Sequence, residues 1–392
     1  MENNRINKKL KITYSWRLGN EIKILGTEFV KKKEDLCYIM YKNTKTKIKE
    51  KIQVEKNEDK ILIELESIKP ITNMSYMFKD CINLYFIEGF QSFDTSEVIS
   101  MEKMFQNCKS LETLPFILET QKVTKMDYMF HNCVNLSKCE YVLNWNTSNV
   151  TDMSYMFSNC KKLDTLQFGE KWDMGKVLDI KNMFENSNLC SLFGINRWDV
   201  SNVINMEKVF YNCKKIQSLN ISMWAPKKAK NLSNMFGNCS DILSIEFGNF
   251  NTESAEDLSC LFKNCHKLMY FNKDLKRNDL KFITNNVYNM SEMFSKCQQI
   301  KSINLVKWDV SKVINMDNMF YYCEKLQSLK GLSNWNINNM VKMDYMFANC
   351  KNLYISLNWI MNKYKNIKEI LDDNNIFYNC DELKKHIKLI SK

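Results

Sequence analysis

Eleven cysteines occupy one position of a recurring phrase: Cys81, Cys108, Cys133, Cys160, Cys213, Cys239, Cys265, Cys297, Cys323, Cys350 and Cys380. Thiols in that number could hold zinc, pair as disulfides or act as nucleophiles. Zinc needs several ligands close together, whereas successive cysteines of this set stand a whole repeat apart. A nucleophile needs a base, and His131 and His266 lie beside repeat cysteines but in different units, with no common acid. Cysteine flanked by Met and Phe behaves as a small hydrophobe with a weak S–H donor, so these thiols read as one column of a core. The Asp or Asn after each Trp, with Ser two later (Asp199 and Ser201, Asp309 and Ser311), could suggest calcium. Because Asn replaces Asp freely, and Ala225 does so once, a side-chain hydrogen bond closing a turn fits better. Nine Gly leave no material for a phosphate loop. The sequence therefore assigns no catalytic residue, no cofactor and no metal, and the expectation is a non-enzymatic protein.

The elements that hold these residues are repeats. The phrase reads NMSYMFKDC at 73–81, DMSYMFSNC at 152–160 and KMDYMFANC at 342–350. Its Phe anchors each copy: Phe78, Phe105, Phe130, Phe157, Phe184, Phe210, Phe236, Phe262, Phe294, Phe320 and Phe347, with Phe377 in a decayed twelfth. Spacings of 25 to 32 residues, mostly 26 or 27, sustained this long predict a solenoid. Met153, Met156, Phe157 and Cys160 fall at 0, 3, 4 and 7, which predicts a two-turn helix. Asn, Asp or Ser before the first Met suits its N-cap. Leu166 and Phe168 alternate as in a strand. The expected fold class is α/β, with a short strand and a short helix in each of about 11–12 units. Neither element can bury its apolar face alone, so neighbours must stack.

The unit DVSNVINMEKVFYNCKKIQSLNI at 199–221 resembles the 26-residue repeat of BspA-type leucine-rich-repeat proteins, surface proteins of mycoplasmas, other bacteria and some protists. The resemblance spans about residues 70–356 and rests on W-D-x-S-x-V, M-F-x-x-C and L-x-x-L. It implies a leucine-rich-repeat solenoid used for adhesion or protein binding.

Three segments follow: a basic β-rich module at 1–69, the solenoid at 70–356, and a decayed repeat with a capping helix at 357–392. The chain carries a net charge of +11, of which residues 1–70 hold +6 (17 Lys and Arg against 11 Asp and Glu). In TKTKIKEK the lysines Lys45, Lys47, Lys49 and Lys51, preceded by Lys42, line one side of an extended segment. They could contact an acidic partner, phosphate or anionic lipid, or simply guard a strand edge. No apolar run approaches the roughly 20 residues of a membrane span. The N-terminal ten residues lack the apolar stretch of a signal peptide, so a cytoplasmic location with reduced thiols is expected.

Function is left to the strand surface. Counting eight and ten residues beyond each anchor selects Phe86 and Glu88, Thr113, Glu140, Thr165 and Gln167, Ser218 and Asn220, Ser244 and Glu246, Tyr270 and Asn272, Ser302 and Asn304, Ser328 and Lys330. The same count passes through Leu192, Gly194, Ile355 and Leu357. With three Glu and two Lys among both columns, a surface tracking nucleic acid phosphates is disfavoured. Hydroxyls and amides beside aromatic positions suit a protein or peptide partner. The expectation is thus a protein-binding scaffold. Two alternatives stand beside it: a surface adhesin or effector exported without a classical signal, and a solenoid tethered to membrane or nucleic acid by its basic front module.

Overall fold

The structure is a computed structural model describing all residues except 1–8, 17–19, 56–57, 92, 116, 272–279, 361–374 and 391–392. The chain forms two compact units, Met1–Gly194 and Ile195–Lys392.

In the first unit, β1 (Lys9–Ser15), β3 (Cys37–Tyr41), β4 (Thr44–Lys47), β6 (Lys60–Ser67) and β7 (Leu84–Glu88) make one sheet in the order β4-β3-β6-β1-β7. Alternation builds it: Leu10, Ile12, Tyr14, Ile61, Ile63 and Leu65 turn to the core and are buried, while the residues between them face outward. β2 (Glu21–Lys23) and β5 (Lys51–Gln53) form a separate antiparallel pair, and α1 spans Thr27–Lys33. β7 belongs to the first repeat, and β1 lies antiparallel to it. The front residues are therefore hydrogen-bonded onto the first coil. Gly26 N–H donates to the Met77 carbonyl at 2.9 Å, and a Cβ on Gly26 would lie 1.8 Å from the Tyr76 oxygen. Only glycine permits that approach.

The recurring phrase is not helical. Around Phe78 the N–H groups of Met74, Tyr76, Phe78 and Asp80 donate to the carbonyls of Ser100, Glu102, Met104 and Gln106 in the next coil, at 2.8–3.0 Å. Those of Met77, Lys79 and Cys81 turn back to Met74, Tyr76 and Phe78, at 3.0–3.2 Å. The switch between the two directions is made by left-handed residues two before and two after each anchor, such as Tyr155 and Asn159 (φ 57° and 61°) or Asn234 and Asn238 (φ 58° and 62°). The expected helix is thus a string of β-turns, and among the described residues the α-helices are α1 and the C-terminal α2, Asp381–Ile390. A two-turn helix would leave most of its terminal N–H and C=O groups unpaired. The turns instead send alternate N–H groups across to the neighbouring coil. The apolar pattern survives, because Met153, Met156, Phe157 and Cys160 are all fully buried. The cap chemistry survives too: Asn73, Asp152, Asn231 and Asp257 accept N–H bonds from the residue two further on, at 2.8–2.9 Å. So does the Trp-turn bond, from Ser201 N–H to Asp199 and from Ser311 N–H to Asp309.

Four columns run through the coils of each unit. The anchor rings stack, Phe105 on Phe130 at 5.4 Å in the first unit and Phe294 on Phe320 at 5.3 Å in the second. Beyond the first copy the thiols donate to the carbonyl of the anchor Phe one coil earlier: Cys133 to Phe105 at 3.0 Å, Cys239 to Phe210 and Cys265 to Phe236 at 3.1 Å. Ser187, the exception at the cysteine position, makes the same bond to Phe157 at 2.8 Å. Asparagine amides form a third column, Asn132 to Asn107 at 2.9 Å and Asn264 to Asn238 at 2.6 Å. Buried threonines form a fourth, in which Thr147 Oγ1 donates to the Asp173 carbonyl and accepts Asp173 N–H.

In the second unit β10 (Ser218–Asn220) pairs parallel with β11 (Ser244–Glu246), and β12 (Ser302–Asn304) with β13 (Ser328–Lys330). The twelfth copy is complete in its turn: Phe377 stacks on Phe347 at 5.4 Å, and Cys380 donates to the Phe347 carbonyl at 3.0 Å. α2 follows it directly, with Leu383 buried.

Candidate functional site

The thiol column is not a reactive site. All eleven cysteines at the repeat position are buried, and none forms a disulfide. Burial pushes the Cys239 thiol up to about 12 and Cys265 well above its ordinary value, so each stays S–H, the form that donates and not the nucleophile. His131, held below the ordinary range by burial, packs edge-on to Tyr128 and Tyr155. Among the described residues no cluster of three or more His, Cys, Asp or Glu is placed to hold a metal.

On the strand face, parallel pairing sets equal offsets side by side: Ser218 against Ser244, Asn220 against Glu246, Ser302 against Ser328, Asn304 against Lys330. The residues between, Leu219, Ile303 and Leu329, point inward and are buried. Thr165 and Gln167 of β8 (Thr165–Gln167) are exposed around buried Leu166. Glu88, Glu140, Ser218, Asn220, Ser302, Ser328 and Lys330 are exposed; Phe86, Thr113, Glu246, Tyr270 and Asn304 are half-buried. Ser244 departs from expectation at 2 % exposure, pinned between Ser218 on one side and Tyr270 on the other. Asn272 lies outside the described residues.

Two coils break the fixed count. After Phe184 the aliphatic Leu189 comes one residue early, and β9 (Ser191–Phe193) pairs Ser191 with Thr165 and Phe193 with Gln167. The outward residues are therefore Ser191 and Phe193 instead of Leu192 and Gly194, and Phe193 is 57 % exposed. After Phe347 the chain alternates Leu353, Ile355, Leu357 and Trp359, all buried. That alternation overrides the count and presents Tyr354, 57 % exposed, with its N–H on the Gln327 carbonyl at 2.8 Å. Both slips put an aromatic ring on the outer face.

The lysine row does not form one side of one strand. Lys45 and Lys47 lie on β4, an edge of the five-stranded sheet, whereas Lys51 begins β5 in the other sheet, and Lys49 sits between them. Most are neutralised: Lys42 contacts Glu55 and Glu58 at 2.9 and 2.7 Å, Lys45 contacts Glu66 at 2.7 Å, Lys47 contacts Asp35 at 3.0 Å and Lys51 contacts Glu21 at 2.9 Å. Hydrogen bonds to Glu58 and then Glu55 hold Lys42 above the ordinary ammonium range. The bond from Lys45 lowers Glu66.

One surface escaped the sequence reading. Six residues before the anchor, a second inter-coil ladder carries Ile204, Tyr288, Ile314 and Val341, exposed by 43 to 72 %; Ile314 N–H bonds the Tyr288 carbonyl and Val341 N–H the Ile314 carbonyl. The signal was present as the unassigned residue two before the first Met of the phrase, as in Val203-Ile204-Asn205 and Val313-Ile314-Asn315.

Stacked coils joined by short parallel strands and bridges, an aromatic column in each unit and outward rows of small polar groups define a leucine-rich-repeat solenoid protein. The chain belongs to the family described as Mycoplasma protein of unknown function, DUF285, which matches it at residues 72–191, 189–285 and 269–389. No curated protein sequence matches the chain. Among solved structures it is similar to a leucine-rich cell surface protein from Faecalibacterium prausnitzii at 16 % identity, covering 66 % of this chain and 76 % of that one, TM-score 0.31. A leucine-rich-repeat protein from Eubacterium ventriosum shows 15 % identity, 67 % and 77 % coverage, and TM-score 0.28. The TLR13–ssRNA13 complex shows 13 % identity over 66 % of this chain and 37 % of that one, TM-score 0.29.

Proposed function

We propose that this protein binds a protein or peptide partner on its strand face and performs no chemistry there. One observation carries the reading. In-register parallel pairing repeats the same outward offsets from coil to coil, Asn220 beside Glu246 and Asn304 beside Lys330, and so lays out a row of hydrogen-bonding groups on a rigid support. The exposed rings of Phe193 and Tyr354 add the kind of aromatic anchor that carries most of the energy of an interface. The ion-paired lysines of residues 42–51 weigh against tethering through that segment.

The test is affinity capture from the native cell, quantified by mass spectrometry, with two matched variants of the full chain. One carries Gln167→Arg, Phe193→Arg and Ser218→Arg on the strand face; the other carries Ile204→Arg and Ile314→Arg on the second ladder. A specific partner lost by the first and kept by the second supports the reading. Equal retention by both, with both folded by circular dichroism, removes it.

A further inference from the structure

Three lysines converge on a depression of about 320 Å³ in the second unit. Lys281 and Lys307 each precede the bulky residue of successive coils, and Lys330 closes β13. Leu280, 3 % exposed, Val306, 44 % exposed, and Asn304 complete the lining. Among the described residues no carboxylate lines it. Three other lysines of this unit sit against carboxylates: Lys230 with Glu256, Lys263 with Glu292, Lys267 with Asp241. Among the described residues Lys281, Lys307 and Lys330 have no such partner. The lining is also fixed. Val306 N–H donates to Asn304 Oδ1 at 3.1 Å, and Trp308 Nε1 donates to the Leu280 carbonyl at 3.3 Å.

We infer that this depression is a subsite for an acidic residue of a bound peptide, with an apolar neighbour of that residue resting on Leu280 and Val306. The inference rests on the strand-face reading, since Asn304 and Lys330 belong to that face, and it specifies what the partner presents there. Three ammonium groups around one depression repel one another, and a carboxylate between them relieves this. The volume is at the small end of ligand sites, suited to one or two side chains. A nucleic acid would require a basic groove running along the backbone and rings on which bases stack. The lysines here surround a single depression, and among the described residues its lining contains no aromatic ring.

The experiment measures fluorescence anisotropy of a labelled octapeptide alternating Glu and Leu, titrated with the full chain. The comparison probes are the Gln/Leu peptide and a labelled dT20 oligonucleotide. Binding of the Glu/Leu peptide should be at least tenfold tighter than that of the Gln/Leu peptide. It should weaken at least tenfold in K281E/K307E/K330E, survive in the triple arginine variant, and be unchanged in a control reversal of Lys161, Lys162 and Lys214. Equal binding of the two peptides, or an undiminished triple Glu variant, overturns the inference. Tighter binding of dT20 lost in the same triple variant overturns the peptide assignment in favour of a nucleic acid. The capture experiment above does not touch these lysines, so either result can fail without the other.

Discussion

The replacement of Asn238 by alanine or by glycine separates a string of turns from a helix. Inside a helix, glycine is less stable than alanine by about 1 kcal/mol. At Asn238, φ is 62° and the side-chain oxygen accepts the Asn264 amide at 2.6 Å. Either replacement deletes that hydrogen bond, at a cost of about 1 kcal/mol. Alanine must in addition hold the left-handed conformation, which costs about 1–2 kcal/mol. Glycine avoids this but loses about 0.5–1 kcal/mol through the freedom it adds to the unfolded chain. The expected losses are about 2–3 kcal/mol for Asn238→Ala and about 1.5–2 kcal/mol for Asn238→Gly, so glycine is the milder change. Urea unfolding followed by the fluorescence of Trp224 and Trp308, both buried in the same unit, reads the order. Alanine more stable than glycine would refute the turn assignment and restore the helix.

Two further outcomes follow from the buried groups. Cys239→Ser should cost no more than about 1 kcal/mol, because Ser187 already makes the same bond with a hydroxyl. Cys239→Ala should cost about 2 kcal/mol, from the lost donor and the void together, although the Phe210 carbonyl keeps its bond from Cys213 N–H; equal melting of the two variants would count against the thiol bond. Asp127 is 8 % exposed, and burial first, then Asp152 and Glu102, raises its carboxyl from 3.8 to about 6. The folded state therefore keeps a proton that the unfolded chain has lost, and this group's contribution is greatest below about pH 4, declines as pH rises to 6, and is flat above. Two pKa units correspond to about 3 kcal/mol. Asp127→Asn should flatten that decline in thermal melts at pH 4 to 7; an unchanged slope would remove Asp127 as its source.

The sequence carried the period, the anchors and the buried columns because these are statements about which residues avoid water, and a period of 26 records them directly. It misled about the helix for a physical reason. The offsets 0, 3, 4 and 7 of Met153, Met156, Phe157 and Cys160 are produced equally by two turns of helix and by consecutive β-turns, and apolar periodicity does not register φ. The distinguishing mark was present in the Asn before the cysteine, at Asn107, Asn132, Asn159 and Asn238, all left-handed. Asparagine tolerates that conformation better than most side chains. The outward face was legible wherever the coils keep equal length, as at Asn220 and Glu246. It was illegible where one residue is missing, before Ser191, or where alternation resets, after Leu353, since a shift of one residue exchanges the two sides of a strand. The cavity among Lys281, Lys307 and Lys330 could not be read at all, because two of its lysines precede the bulky residue of successive coils while the third closes a strand, and no single repeat offset links them.

The bond from each thiol to the carbonyl of the preceding anchor makes successive junctions within a unit chemically interchangeable. Cys239 meets Phe210 as Cys265 meets Phe236 and Cys323 meets Phe294, all at 3.1 Å. Excising a full copy, for instance from Phe236 to the residue before Phe262, would join two surfaces that already match. A lineage could therefore lengthen or shorten this array by unequal recombination, one copy at a time, without reinventing any contact, and an engineer could tune its reach by the same increment.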